Sequence, residues 1–190
     1  SVAAGHTARY RGIDSSWVGG ATAIGVGDPD DVIRPDGARV GDALVVSTGP
    51  AAEVAGLFST LFPDQLGLDA ETIATAQERV DDIETVADAL AVADAGDVSA
   101  MHDATEGGLQ GALVEMADGA GVRFDAERAA APLAEGVEAV CEAVGVDPWQ
   151  VTSCGTLVVA VAPEDAERVV NALDARGTPA AVVGSVREGE

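Results

Sequence analysis

Lysine is missing from this 190-residue chain: its ten basic residues are all arginine, set against 33 acidic residues, for a formal net charge of −23. A surface so short of positive charge repels the phosphates of nucleic acid and of anionic lipid, so no nucleic acid and no membrane is expected among its partners. Cysteine occurs only at Cys141 and Cys154 and histidine only at His6 and His102. Neither Cys-x-x-Cys nor His-Glu-x-x-His spacing is present, so no metal site is expected, and two cysteines in an apparently intracellular chain argue against a disulfide. No signal peptide and no long apolar span is recognisable, which leads to the expectation of a cytoplasmic protein.

What the chain does have is a hydrophobic content of 47%, enough for one ordinary domain with a sizeable core. That content, with well-formed helical periods, separates it from acidic disordered chains. An acidic, lysine-free, alanine-rich and valine-rich folded protein fits the cytosol of a halophilic archaeon, where concentrated salt screens self-repulsion.

Along the chain, residues 1–14 read as a strand remnant and connector, and residues 15–190 as the domain. The segment 17–26, around Trp17, is β-compatible, and turn signals follow at 28–30 and 35–37. A strand is expected at 43–46. Pro50 then opens a helix with the apolar stripe Val54, Leu57, Phe58 and Leu61, closed by Pro63. Residues 69–96 hold two more helical patterns, the second carried by Ile83, Val86, Ala87 and Leu90. Strands are expected from Val98, at 122–124, at 156–161 and at 181–183. Between them lie a helix with Leu133, Val137, Val140, Cys141 and Val144 on its apolar face, and one with Ala166, Val169, Val170 and Leu173 that Gly177 stops. This order predicts an α+β or α/β layered sheet without internal repeats.

The richest local signal is Met101-His-Asp-Ala-Thr-Glu-Gly-Gly-Leu-Gln-Gly-Ala-Leu-Val-Glu-Met-Ala117, a polar loop with two glycines running into an amphipathic helix. Leu109, Ala112, Leu113, Met116 and Ala117 supply the buried face. Asp103 and Thr105 are placed to cap, Gly107 and Gly108 let a ligand approach the backbone, and the first-turn amides with the helix dipole suit a phosphate or other anion. The plainer reading of the glycines is a strand-to-helix turn that needs small residues for close packing. His102 and Asp103 either contact a phosphate, amide or ammonium-like group or fix the turn. Glu106 is either a base or a solvated carboxylate, and Glu115 only solvates the helix. Cys154, in the loop Thr152-Ser-Cys-Gly155, has no adjacent basic residue to lower its pKa, which weighs against a nucleophile.

The string from Val98 through His-Asp-Ala-Thr-Glu-Gly-Gly-Leu to Ala117 resembles the carboxy-terminal domain of the aminoimidazole ribonucleotide (AIR) synthase-related superfamily, and within it the HypE-like hydrogenase maturation proteins. Gly5-His6-Thr7, Arg39-Val-Gly-Asp-Ala-Leu-Val-Val-Ser47 and Thr152-Ser-Cys-Gly-Thr-Leu-Val-Val-Ala160 resemble further segments in the same order. The resemblance implies a PurM-like α+β fold: a three-layer α/β/α arrangement around a mixed sheet with partial ferredoxin-like topology. It implies ATP and magnesium bound by an N-terminal domain, none held by this stretch alone, and activation of an amide or carbonyl oxygen by phosphorylation. It also makes His6, His102 and Cys154 catalytic candidates, and Asp103, Thr105, Gly107 and Gly108 phosphate- or substrate-binding ones.

Implied partners are the ATP-binding domain, a second copy and a hydrogenase-maturation protein; the stretch alone is not expected to be active. In HypE-like proteins the implied substrate is a carbamoylated cysteine at the protein's own carboxy terminus, dehydrated to a thiocyanate. The chain departs from that pattern at Ala8 and Cys154, where glutamate is common, and residues 184–190 contain no cysteine. A removed tail, a purine-pathway or selenophosphate-type chemistry, or a non-catalytic binding module are the alternatives.

The charge reading has a direct test. Screening contracts from a Debye length of about 30 Å at 0.01 M salt to about 3 Å at 1 M. Circular dichroism should therefore show a loosened fold and a lower Tm in dilute buffer than in molar salt, whereas identical melting in both would contradict the halophile reading.

Overall fold

Two strands, β1 (Ala43–Ser47) and, later in the chain, β4 (Leu157–Val161), are buried at every position. Both read as unbroken apolar runs because helices cover both faces of the sheet they centre. The computed structural model describes residues 22, 24–83 and 85–189. His6 and the expected remnant at 1–14 lie outside these residues, as does most of 17–26. The unit Ser1–Val32 contributes a short 3-10 turn at Pro29–Asp31 to the description; the unit Ile33–Glu190 holds everything that follows.

After β1 come α1 (Ala52–Leu61), the single-turn α2 (Pro63–Leu66), α3 (Ala70–Gln77), α4 (Val86–Ala95) and β2 (Val98–Asp103). Then follow α5 (Gly108–Ala120), β3 (Val122–Ala126), α6 (Val137–Val144), β4, α7 (Ala166–Asp174) and β5 (Ala180–Glu188). The sheet order is β2-β4-β1-β5-β3. With β3 set aside, β1-helix-β2 and β4-helix-β5 interleave as a ferredoxin-like split unit. β3 is an added edge strand on β5.

The α+β class and the ferredoxin-like core therefore match expectation, with one correction. Every strand pairing among the described residues is antiparallel, not mixed, because β4 runs the other way between β1 and β2. β5 is also longer than the expected 181–183, since β1 and β3 pair it on both sides.

Alternation along the central strands divides the core into two layers. Leu44, Val46, Val158 and Ala160 pack under Leu109, Leu113 and Met116 of α5. Val45, Val159 and Val161 face Val92 of α4 and Val169 and Leu173 of α7. A third cluster joins Val54 and Ala55 of α1 and Ala76 of α3 to Val137, Val140 and Cys141 of α6. Cys141 is a buried thiol, as expected, pushed up to about 11 by burial and, secondarily, by the charge of Asp147.

Two helices turn a different face inward from the one their apolar stripes predict. In α1 the buried residues are Ala52, Val54, Ala55, Gly56 and Ser59, while Phe58 and Leu61 are exposed; α1 ends just before Pro63, as expected, and Pro63 also opens α2, at a position where a helix tolerates proline. In α4 the expected stripe faces out: Ile83, Val86 and Leu90 are 48%, 69% and 64% exposed. Asp88 and Val92 are buried instead.

The reason is an anchor the apolar period does not encode. Asp88, 4% exposed, accepts hydrogen bonds from Arg176 Nε at 2.6 Å and Thr178 Oγ1 at 2.9 Å, which fixes the rotation of α4. Asp88→Ala should lower stability by about 1–3 kcal/mol, because it strands a polar pair beneath the helix. A denaturant midpoint equal to that of the parent chain would contradict the anchor.

Candidate functional site

Because β1 and β2 run parallel with β4 antiparallel between them, the exits of β1 and β2 and the entrance of β4 share one edge of the sheet. Three loops meet there: 48–51 after β1, 104–107 after β2, and 151–156 before β4.

The first loop is strained. Thr48 and Ala51 take left-handed backbone angles, φ 60° and 61°, at a cost of about 1–2 kcal/mol each for residues with a β-carbon. Buried hydrogen bonds hold it in place. Ala51 N–H donates to Ser153 Oγ at 2.9 Å, Thr156 Oγ1 donates to the Gly49 carbonyl at 2.6 Å, and Leu157 N–H donates to Ser47 Oγ at 3.1 Å. Ser47, Ser153 and Thr156 are fully buried, so each hydroxyl satisfies a backbone group that water cannot reach. Gly155 sits at φ +101°, and a β-carbon there would lie 2.0 Å from the Asp82 carbonyl, so no larger residue fits between this loop and residues 82–83.

The pinned loop places Glu53, in the first turn of α1, against residues one hundred positions away. Its Oε2 accepts from Thr152 Oγ1 at 2.7 Å and from Cys154 N–H at 3.2 Å. Burial pushes the Cys154 thiol above its ordinary pKa; hydrogen bonding to Glu53 and that carboxylate's charge push the same way, and Asp103 adds to them, while Thr152 opposes. A thiol among carboxylates stays protonated at neutral pH, which disfavours Cys154 as a nucleophile.

Asp103 is the last residue of β2, half exposed. His102 precedes it within the strand; it is not in the loop as expected. Its Nε2 lies 3.1 Å from Glu115 Oε2 on α5 and its Nδ1 lies 3.4 Å from Asp103 Oδ1. Glu115, expected only to solvate its helix, is thus the partner of this ring.

The glycine loop differs from its expected form in how it is capped. Gly107, at φ 80°, occupies the cap position of α5, and no side chain caps the helix. Asp103 is still paired to Leu157 in the sheet, too far back to reach, and Thr105 uses its backbone carbonyl to accept from Gly108 N–H at 3.0 Å. Gly108 serves close packing, since a β-carbon there would approach the Val151 carbonyl to 2.4 Å. A β-carbon on Gly107 would meet only Gly111 Cα, at 3.5 Å, so its left-handed φ of 80° and not crowding calls for glycine there; helix geometry leaves the first-turn amides of Leu109 and Gln110 without intrahelical partners.

Sequence reasoning therefore located the 103–108 and 152–155 loops but missed Glu53, Ser47, Ser153, Thr156 and Asp82. Only Glu53 carried a signal, an acidic residue in a helix's first turn, and that signal points equally to the dipole.

Among the described residues, no group of three or more His, Cys, Asp or Glu is placed to hold a metal ion. None of the described helices is long and apolar enough to cross a membrane. A hollow of about 630 Å³ lined by Arg128, Leu133, Glu138, Glu142 and Trp149 touches the first of these loops at Pro50, but none of the expected site residues borders it.

The Glu53 clamp predicts a shifted thiol. Alkylation of Cys154 followed against pH should have its midpoint above that of an ordinary cysteine. Glu53→Gln should bring it part of the way back, burial accounting for the rest. A midpoint that Glu53→Gln does not move would show that the carboxylate leaves the thiol untouched.

Residues 39–190 match the family model described as AIR synthase related protein, C-terminal domain. The carbamoyl dehydratase HypE of Rhizobium leguminosarum bv. viciae is 34% identical over 161 residues, covering 83% of this chain and 44% of the relative. A putative hydrogenase expression/formation protein of Methanocaldococcus jannaschii is 31% identical over 173 residues, covering 91% and 49%. The chain spans about half the length of the curated relatives it matches. The crystal structure of Escherichia coli HypE superposes with a TM-score of 0.69 at 29% identity, covering 83% of this chain and 47% of that one. A HypE structure in complex with ATP gives 0.63 at 26% identity, covering 84% and 46%. A HypE–HypF complex at 20% identity shares the fold. The chain thus belongs to the AIR synthase-related family, as its C-terminal domain, and within that family it is HypE-like.

Proposed function

We propose that this chain is the carboxy-terminal half of a HypE-like, ATP-dependent enzyme that activates an amide or carbonyl oxygen by phosphorylation, in the manner of a carbamoyl dehydratase. The observation that carries this reading is the meeting of the 103–108 glycine loop with the Glu53-clamped 152–154 loop at one edge of the sheet, inside residues 39–190, which match the family model, in a chain 34% identical to a carbamoyl dehydratase HypE.

ATP, bound with magnesium by the other half, supplies the phosphoryl group that turns a poor leaving group into phosphate. This chain's part is to orient. The first-turn amides of α5 face an anionic oxygen, Asp103 holds the polar end of the substrate, and Glu53 fixes the wall on which the neutral Cys154 thiol sits. Residues 1–14, with His6, form the connector to the ATP-binding half. His102, tied to Glu115, is a supporting residue of the same edge. The wider reading adds a cytoplasmic, halophilic archaeal setting, a homodimer, and a hydrogenase-maturation partner of the kind seen in the HypE–HypF assembly.

The protonated thiol at Cys154 favours a second reading, a binding or assembly module that keeps the fold without the reaction. ATP-dependent phosphate release by the polypeptide containing both halves, with a carbamoyl-type substrate, separates the two. Asp103→Asn and Gly107→Val should each reduce the rate by about tenfold, the equivalent of one 1.4 kcal/mol contact; Asp103→Asn does so without straining the backbone. Unchanged rates in both variants would remove the loop from the site, and absence of turnover with every candidate substrate would favour the binding module.

A further inference from the structure

Helix α4 carries charge at only two of its ten residues, Asp88 and Asp94, and Asp88 is turned inward. A helix apolar around nearly its whole circumference is the pattern of a buried helix, yet α4 lies at the surface of this chain. Its outer side presents Val86 and Leu90, continued by Ile83 just before the helix, each about half exposed or more. On a chain of net charge −23, the helices α6 and α7 show water Glu138, Glu142 and Glu167, as such a surface should. An aliphatic stripe of this length, ended only by the exposed Asp94 one turn after Leu90, is the exception, and contiguous exposed apolar surface marks an interface.

The orientation is built in. Arg176 and Thr178 hold the Asp88 carboxylate beneath the helix, so the stripe cannot roll inward without breaking a half-buried ion pair and stranding that carboxylate. The exposed Phe58–Phe62 pair is a weaker candidate: its rings cover part of each other, with centroids 5.8 Å apart, and Asp64 follows two residues later.

What would cover α4 is indicated by length and by position. The matched relatives each extend to about twice the length this chain spans, with 42% to 49% of three curated relatives covered, which leaves room for a second domain of similar size. The stripe also begins beside the candidate site, because Gly155 packs directly on residues 82 and 83, within 3 Å of Ile83 Cα for a β-carbon placed there. A body seated on α4 therefore adjoins the 152–155 loop.

We propose that the outward face of α4, from Ile83 through Val86 to Leu90, is the docking surface for the other half of the same polypeptide, which it seats beside the 152–155 loop. This rests on the two-half reading of the preceding subsection. Docking there explains why a helix in so acidic a chain spends its one central charge on its inner side. It also places the second half where it closes the edge of the sheet that carries Glu53 and Asp103.

The test is thiol accessibility at single introduced cysteines, read at each labelled peptide by mass spectrometry after maleimide treatment. Leu90→Cys probes the stripe, and Val114→Cys, 51% exposed on α5 across the sheet, serves as the control. In the 190-residue chain both should label at similar rates. In the polypeptide that carries both halves, Leu90→Cys should slow by about tenfold or more while Val114→Cys stays fast, since reactivity follows exposure.

Equal labelling of Leu90→Cys in the two proteins overturns the proposal. So does slow labelling of Leu90→Cys in the 190-residue chain accompanied by a dimer mass, because a second copy would then be the occupant. A natural polypeptide with no second half, labelling as fast at Leu90→Cys as at Val114→Cys, overturns it too. ATP turnover measured alongside keeps the two readings apart: turnover with an unprotected α4 removes the docking surface and leaves the activity, while protection without turnover supports the surface and counts against the activity.

Discussion

Three buried hydroxyls, on Ser47, Ser153 and Thr156, hold the loop that leaves β1 against the loop that enters β4, and the candidate site exists only where these loops meet. Thr48 and Ala51 would not keep left-handed backbone angles in an unconstrained loop. The strain is sustained because the two flanking strands are buried at every position and cannot shift relative to each other. The geometry of Glu53 follows from this. Its carboxylate reaches Thr152 and Cys154 because the first turn of α1 starts immediately after the pinned residue Ala51.

Charge is distributed with the same economy. Most of the acidic residues among those described face solvent, where they act together as a repulsive, salt-sensitive shell. The few carboxylates that turn inward each have a partner and a mechanical task. Asp88 sets the rotation of α4 through Arg176 and Thr178, Asp42 accepts from Ser99 and from the Arg39 amide, and Glu53 joins two loops. With no lysine in the chain, arginine makes the ion pairs of this kind, and its fork suits a fixed geometry better than a flexible ammonium would.

Much of the fold was legible because it rests on period and punctuation. The apolar runs at 43–46 and 156–161 became the two central strands, and Leu109, Leu113 and Met116 became the buried face of α5. The failures have one physical character. An apolar stripe states that a helix face wants cover but not which cover it finds, and in α4 a buried carboxylate, Asp88, held by Arg176 and Thr178 from far along the chain, decided the matter. The position of the glycine loop was legible, whereas its capping was not: sheet pairing kept Asp103 extended, and backbone hydrogen bonding took over from the side chains. Ser153 and Thr156 gave no sequence signal, and that of Glu53 pointed equally to the helix dipole, because their partners lie across the fold and such long-range polar pairs have no period to detect.

The proposal places ligand chemistry at the edge where β1 and β2 end and β4 begins, rather than in the hollow beside Trp149. Amide hydrogen exchange on the polypeptide that carries both halves, with and without ATP, tests it most directly. The account predicts added protection at residues 104–110 and 152–154; protection appearing only along 128–149, around the hollow, would contradict it.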